Sequence, residues 1–178
     1  MRRQIRVNGR QHSATMHYLD NYGYIPLWIL VKVLSFGIVS ELYNILKSED
    51  AQAIADIYRT DIESLSDYLS ILANFRNLCA HEDILYDHRT QREISDTEYH
   101  RHLDISMTEG HYDYGKNDLF AVMIIMKKML SENEFKDFFF QIGYEIEILE
   151  NKVKVVKPST ILNKIGFPDN WRQLDEID

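Results

Sequence analysis

Helix-start signals recur along this chain, and each is followed by apolar residues at helical spacing. Thr60 with Glu63, and Ser131 with Glu134, have the form in which a hydroxyl and a carboxylate satisfy the free N–H groups of a first helical turn. Pro26 suits a first helical position, Ser48 suits a cap, and Asn117 or Asp118 can cap the apolar run that follows. With seven Gly and three Pro in 178 residues, little of the chain is free for irregular structure. These features predict an all-α bundle.

The spacing places helices from Pro26 to Gly37, from Ile38 to about Lys47, from Ser48 to Tyr58, and from Asp61 to Cys79. The last of these carries Ile62, Leu65, Leu69, Leu72 and Cys79 on one expected apolar face. Residues 82–116 are polar and rich in His, Asp and Arg, and read as a long loop with one short helix near Asp96 to Leu103. Two apolar helices are expected next, one through Leu130 and one carrying Phe135, Phe138, Phe139, Ile142 and Ile146. Val153 to Val156 alternates with Lys and reads as a short extended piece. Pro158 and Ser159 open a last helix, closed by Gly166 and Pro168.

The length fits a single domain over 1–178. Its first 17 residues read as a flexible basic terminus, with Arg2, Arg3, Arg6 and Arg10 and no acid among the first ten. A net charge of −8 argues against coating nucleic acid by bulk electrostatics. The single cysteine, Cys79, excludes an intramolecular disulfide and fits a reducing, cytoplasmic setting. No signal peptide is visible, and the apolar runs Ile25 to Val31 and Leu119 to Met126 are too short to span a bilayer, so no membrane role is expected.

The chemistry concentrates in Arg76-Asn77-Leu78-Cys79-Ala80-His81. An Arg can hold a phosphate and stabilise charge on it, and a His can move a proton near neutral pH. Arg76 falls seven residues after Leu69 and therefore on the expected apolar stripe. On that feature alone an internal ion pair is favoured over a phosphate site. His81 lies about 140° further around an ideal helix, so the two side chains converge only if the helix loosens or ends near Cys79 to His81. A His near a helix end also serves simply to complement the helix dipole.

The hexapeptide resembles the active-site signature of the HEPN ribonuclease superfamily, with Asn77 in the polar position after the Arg. Asn21-Tyr22-Gly23-Tyr24-Ile25-Pro26-Leu27-Trp28, Val33-Leu34-Ser35-Phe36-Gly37, the hexapeptide itself and Gly166-Phe167-Pro168-Asp169-Asn170-Trp171 resemble segments found in that order in bacterial Abi-like (abortive infection) proteins. The chain begins just ahead of the Pro-Leu-Trp segment and so resembles the C-terminal part of that family. After the His, the family often carries another His, an Arg and an Asn, where this chain has Glu82, Ile84 and Asp87. The resemblance implies a HEPN-like helical bundle with additional C-terminal helices. It implies a homodimeric, metal-independent endoribonuclease of antiphage defence, with Arg76, His81 and Asn77 as catalytic residues, RNA as substrate and no cofactor. A regulatory RNA or protein partner is compatible with it. The rival reading is a catalytically inactive HEPN-like module that binds RNA or protein, and a third is a helical interaction protein whose Arg76 and His81 are structural.

Other constellations are weaker. His88, His100, His102 and His111 could be drawn into a zinc site, but a solvated loop accounts for them better; Asp83, Asp87, Glu93 and Asp96 could bind magnesium, and a charged loop accounts for them equally well. Tyr22, Tyr24 and Trp28 could stack on RNA bases, although core packing is the default beside an apolar helix.

Overall fold

The computed structural model describes residues 12–177. The basic terminal residues Arg2, Arg3, Arg6 and Arg10 lie outside that range. The chain divides into two compact units, with the boundary between Ala51 and Gln52.

The first unit holds short helices. Helix α1 (Ser13–Tyr22) begins within the expected flexible terminus, taking in residues 13–17 of it, and Gly23 closes it in the left-handed region at φ 72°, its N–H donating to Leu19 O. Pro26 precedes α2 (Leu27–Leu30), which tightens into a 3-10 turn over Val31–Val33. Gly37 does not end this segment as the sequence suggests. The break falls at Leu34, and Ser35 precedes α3 (Phe36–Asn44), leaving Gly37 inside the new helix. Helix α4 (Ser48–Ile57) runs across the unit boundary.

The second unit is built around α5 (Ile62–Ala80), α7 (Leu119–Met129) and α8 (Glu132–Lys152). The cap of α5 is Asp61 and not Thr60. Its carboxylate accepts from the Ser64 N–H at 2.8 Å and the Ser64 hydroxyl at 2.7 Å, which holds the Asp61 acid below its usual range. Asp118 caps α7, and Ser131 with Glu134 forms the expected capping box on α8. Six consecutive residues of α7, Phe120 to Ile125, are buried, so it is the central helix, packed against α5 and α8. Helix α9 (Pro158–Ile165) ends at Gly166, and a 3-10 helix over Trp171–Glu176 lies against α8. Phe120, Phe167 and Trp171 are linked by ring contacts at 5.4 Å, and Phe139 joins Trp171 at 5.3 Å. Residues 153–156 form no strand.

The polar segment 82–116 is packed, and its description as a solvated loop needs correcting. It contains α6 (Glu98–His102) and a minimal antiparallel pair of β1 (Met107–Thr108) and β2 (His111–Tyr112). Ile94, Tyr99, His100, Leu103 and Ile105 are buried. Main-chain bonds from Thr90 to Asn117 and from Ile94 to Lys116, each 2.9 Å, tie its middle to the start of α7. Among the described residues the fold is helical apart from that two-stranded pair, as expected of an all-α chain. No described helix is long and apolar enough to cross a membrane.

Candidate functional site

The buried face of α5 comprises Ser64, Leu65, Tyr68, Ile71, Ala73 and Phe75, and not the expected Leu69–Leu72–Cys79 line. The helix carries two overlapping apolar stripes, and the one with the aromatic residues packs inward. Arg76 therefore sits on the other side, exposed. Its guanidinium donates to Asn77 Oδ1 at 3.3 Å and makes no ion pair with any described residue. The internal ion pair that the sequence alone favours is absent among the described residues.

The helix ends where convergence of Arg76 and His81 requires it to. His81 is the C-cap, at φ −103° and ψ 6°, and its N–H donates to Asn77 O at 3.1 Å. Asn77 thus contacts Arg76 through its side chain and His81 through its carbonyl. Glu82 stands in the left-handed region at φ 56°. Its N–H donates to Cys79 O, and the Asp83 N–H donates to Leu78 O at 3.0 Å. This is the 5→2 and 6→1 pairing of a Schellman turn, with Glu82 where glycine is usual and at a backbone cost of about 1 kcal/mol. Arg76, Asn77, Cys79, His81, Glu82 and Asp83 are all exposed, and Ile84 is exposed beside them.

The chain leaving this turn is pinned by residues that the sequence does not single out. His88 Nε2 lies 2.6 Å from Asn74 Oδ1, and the His88 ring stands edge-on to Phe75 at 5.2 Å. Asp87 pairs with Lys164 at 3.0 Å, and Arg89 donates to Lys164 O at 3.1 Å, fastening the segment to α9. Nothing in the spacing of residues 74 to 89 signals these bonds. Only Asn74 and His88, two polar residues flanking the hexapeptide, offer a clue.

The other histidines do not gather. Among the described residues no group of three or more His, Cys, Asp or Glu side chains is arranged to hold a metal ion. His100 is fully buried. Its Nδ1 accepts from the Thr97 N–H at 3.0 Å, which leaves Nε2 to donate to Gly115 O at 3.0 Å, and the ring stacks on Tyr112 at 4.8 Å. Burial pushes its pKa down, so it is a neutral core group. Gly115 also donates to the carboxylate of Asp118, which caps α7 through the Ala121 N–H at 2.9 Å. Asp118 is pushed up to about 6 by burial, against the hydrogen bonds that favour its charge. Asp96, drawn above into a possible magnesium site, pairs with Lys116 at 2.5 Å.

The aromatic residues Tyr22, Tyr24 and Trp28 are also placed otherwise than expected. Each is more than half exposed, so the default of core packing fails for all three.

The sequence model of the family described as Abi-like protein matches residues 1–87. Over that span the chain is similar to Abi-like proteins. The matched span takes in the Asn21–Trp28 segment, all of α5 and the Arg76–His81 turn. The Gly166–Trp171 segment lies beyond it. No curated protein and no solved structure matches the chain. The similarity supports a function related to abortive infection in general terms.

Proposed function

We propose that this Abi-like chain is a metal-independent endoribonuclease of the HEPN type, acting in antiphage defence as a homodimer. The observation that carries the reading is the state of Arg76, a cation at a helix end with no acid partner among the described residues, five positions before an exposed histidine. A structural arginine would have its donors used by the chain's own carboxylates. This one keeps them available for phosphate oxygens.

The proposed reaction needs only these groups. One His81 takes the proton of the RNA 2′-hydroxyl, whose oxygen attacks the adjacent phosphorus. The 5′-oxygen leaves and is protonated by His81 of the second copy, and a 2′,3′-cyclic phosphate remains. Arg76 binds the non-bridging oxygens and stabilises the negative charge that builds in the transition state. Asn77 steadies Arg76 through its side-chain oxygen. DNA is spared because it lacks the internal nucleophile.

The test is cleavage of a mixed RNA pool with EDTA present. Wild type should leave 2′,3′-cyclic ends, while His81→Ala and Arg76→Ala should each lose roughly 10²-fold or more in rate. Arg76→Lys should fail as well, because an ammonium cannot make a two-pronged phosphate contact. Cleavage by His81→Ala at the wild-type rate would refute the assignment. One observation favours the second reading, a non-catalytic RNA- or protein-binding module. Glu82 and Asp83 follow His81 directly and stand exposed, so two carboxylates oppose an incoming phosphate. A folded dimer that binds RNA in the same pool without cutting it would select that reading.

A further inference from the structure

The first unit carries an exposed aromatic cluster that the catalytic reading does not use. Tyr22 is 59% exposed, Tyr24 60% and Trp28 57%. Their arrangement is built by local sequence. Tyr18 and Tyr22 are one helical turn apart on α1, with ring centroids at 5.6 Å. The left-handed Gly23 then reverses the chain, which brings Tyr24 within 6.4 Å of Tyr22. Pro26 opens α2, and Trp28 meets Tyr18 edge-on at 5.6 Å. Lys32 places its ammonium 5.9 Å from the centre of the Trp28 ring. The rings hold one another in place while much of their surface faces solvent.

The charge of this region differs from the rest of the protein. Residues 1–51 carry six Lys/Arg against four Asp/Glu, with Arg2, Arg3, Arg6 and Arg10 of those six outside the described residues, whereas residues 52–178 carry fourteen against twenty-four. The one acid on α1, Asp20, projects about 160° away from Tyr22 around an ideal helix. Exposed aromatic rings with a cation beside them suit a ligand that offers flat π-faces and a negative backbone. An apolar protein partner would use the rings but gain nothing from the charge.

We propose that Tyr22, Tyr24 and Trp28, with Lys32, form a stacking platform for the unpaired bases of single-stranded RNA. The proposal rests on RNA being the ligand of this protein and adds a second place where the chain engages it. Stacking tolerates any base, so the platform would capture unpaired RNA without reading its sequence.

The protein supplies its own reporter. It has two tryptophans, Trp28 exposed and Trp171 only 2% exposed, so an added quencher acts on Trp28. The experiment titrates full-length His81→Ala with a short single-stranded uridine oligomer and follows tryptophan fluorescence. Quenching is expected, with none in Trp28→Phe and an affinity lower by about tenfold in Tyr22→Ala and in Tyr24→Ala. A fully paired RNA of the same length should quench little. The proposal is overturned if the oligomer causes no quenching, if quenching survives in Trp28→Phe, or if both tyrosine variants bind as the parent does. A blue shift that grows with protein concentration without RNA would also overturn it, by assigning the face to a second copy. Because His81→Ala is the parent throughout, cleavage does not enter the measurement. Cleavage by wild type with no quenching would remove the platform alone, and quenching without cleavage would remove the nuclease alone.

Discussion

Two histidine sites in the second unit make opposite use of polar groups. Around His100, both ring nitrogens are bonded, Asp118 accepts from two main-chain N–H groups, and the whole cluster is buried. Around His81, the side chains stand in solvent, and among the described residues Arg76 is held only by its neighbour. A buried polar group left unsatisfied would cost about 1–3 kcal/mol, so the first cluster has to be complete for the fold to exist. The second has no such requirement, and its spare bonding capacity is what a substrate could use. Titratable residues near one another are therefore weak evidence of a site until their bonds are counted.

The contrast predicts large stability effects at the first cluster and small ones at the second. The largest is expected from Gly166→Ala. A Cβ there would lie 2.3 Å from Asp118 Cγ at a φ of +105°, so urea unfolding should show a loss of about 3 kcal/mol or more. Gly23→Ala, which meets nothing within 4 Å, should cost only about 1 kcal/mol.

Next comes the pH dependence carried by Asp118. Its folded value of about 6 lies above the ordinary 3.8, so between those limits the folded state holds more proton than the unfolded one. Stability from this group is complete below pH 3.8 and falls as pH rises toward 6, by about 3 kcal/mol in all. Paired urea titrations of wild type and Asp118→Asn should show the wild type losing that amount relative to the variant from pH 4 to pH 7. His100, depressed by burial, acts in the opposite direction but is common to both chains. Parallel curves would show that Asp118 is not buried as described.

At the Arg–His turn the effects shrink. Glu82→Gly relieves a positive φ and should raise stability by about 1 kcal/mol, read as a higher urea midpoint. Arg76→Ala should leave the midpoint within about 0.5 kcal/mol of wild type, as for other exposed positions. A loss of several kcal/mol in Arg76→Ala would dissolve the comparison and return Arg76 to a structural role.

Much of the helical order can be read from the sequence because capping is local chemistry. Ser131 with Glu134, Asp118 before α7 and Gly166 after α9 all act where the spacing places them. The phase of α5 is not legible. Leu69, Leu72 and Cys79 compete with Tyr68, Ile71 and Phe75 as the inward stripe, and periodicity cannot choose between stripes about 100° apart. Tertiary packing makes that choice, and with it decides whether Arg76 is buried or free. The packing of residues 82–116 is hidden for a different reason. Their polar side chains and main-chain groups are satisfied by partners remote in sequence, such as Thr90 with Asn117, which composition cannot reveal.

Cys79 is the only thiol in the chain, and it is exposed two residues before His81. A nitroxide or fluorophore attached there would report on a single position without any engineered cysteine. If two copies meet through the Arg–His turns, two labels come within measuring range of each other, and the dipolar coupling between them becomes a direct ruler of assembly. The residue with no assigned chemical role is the natural place from which to watch the neighbouring ones act.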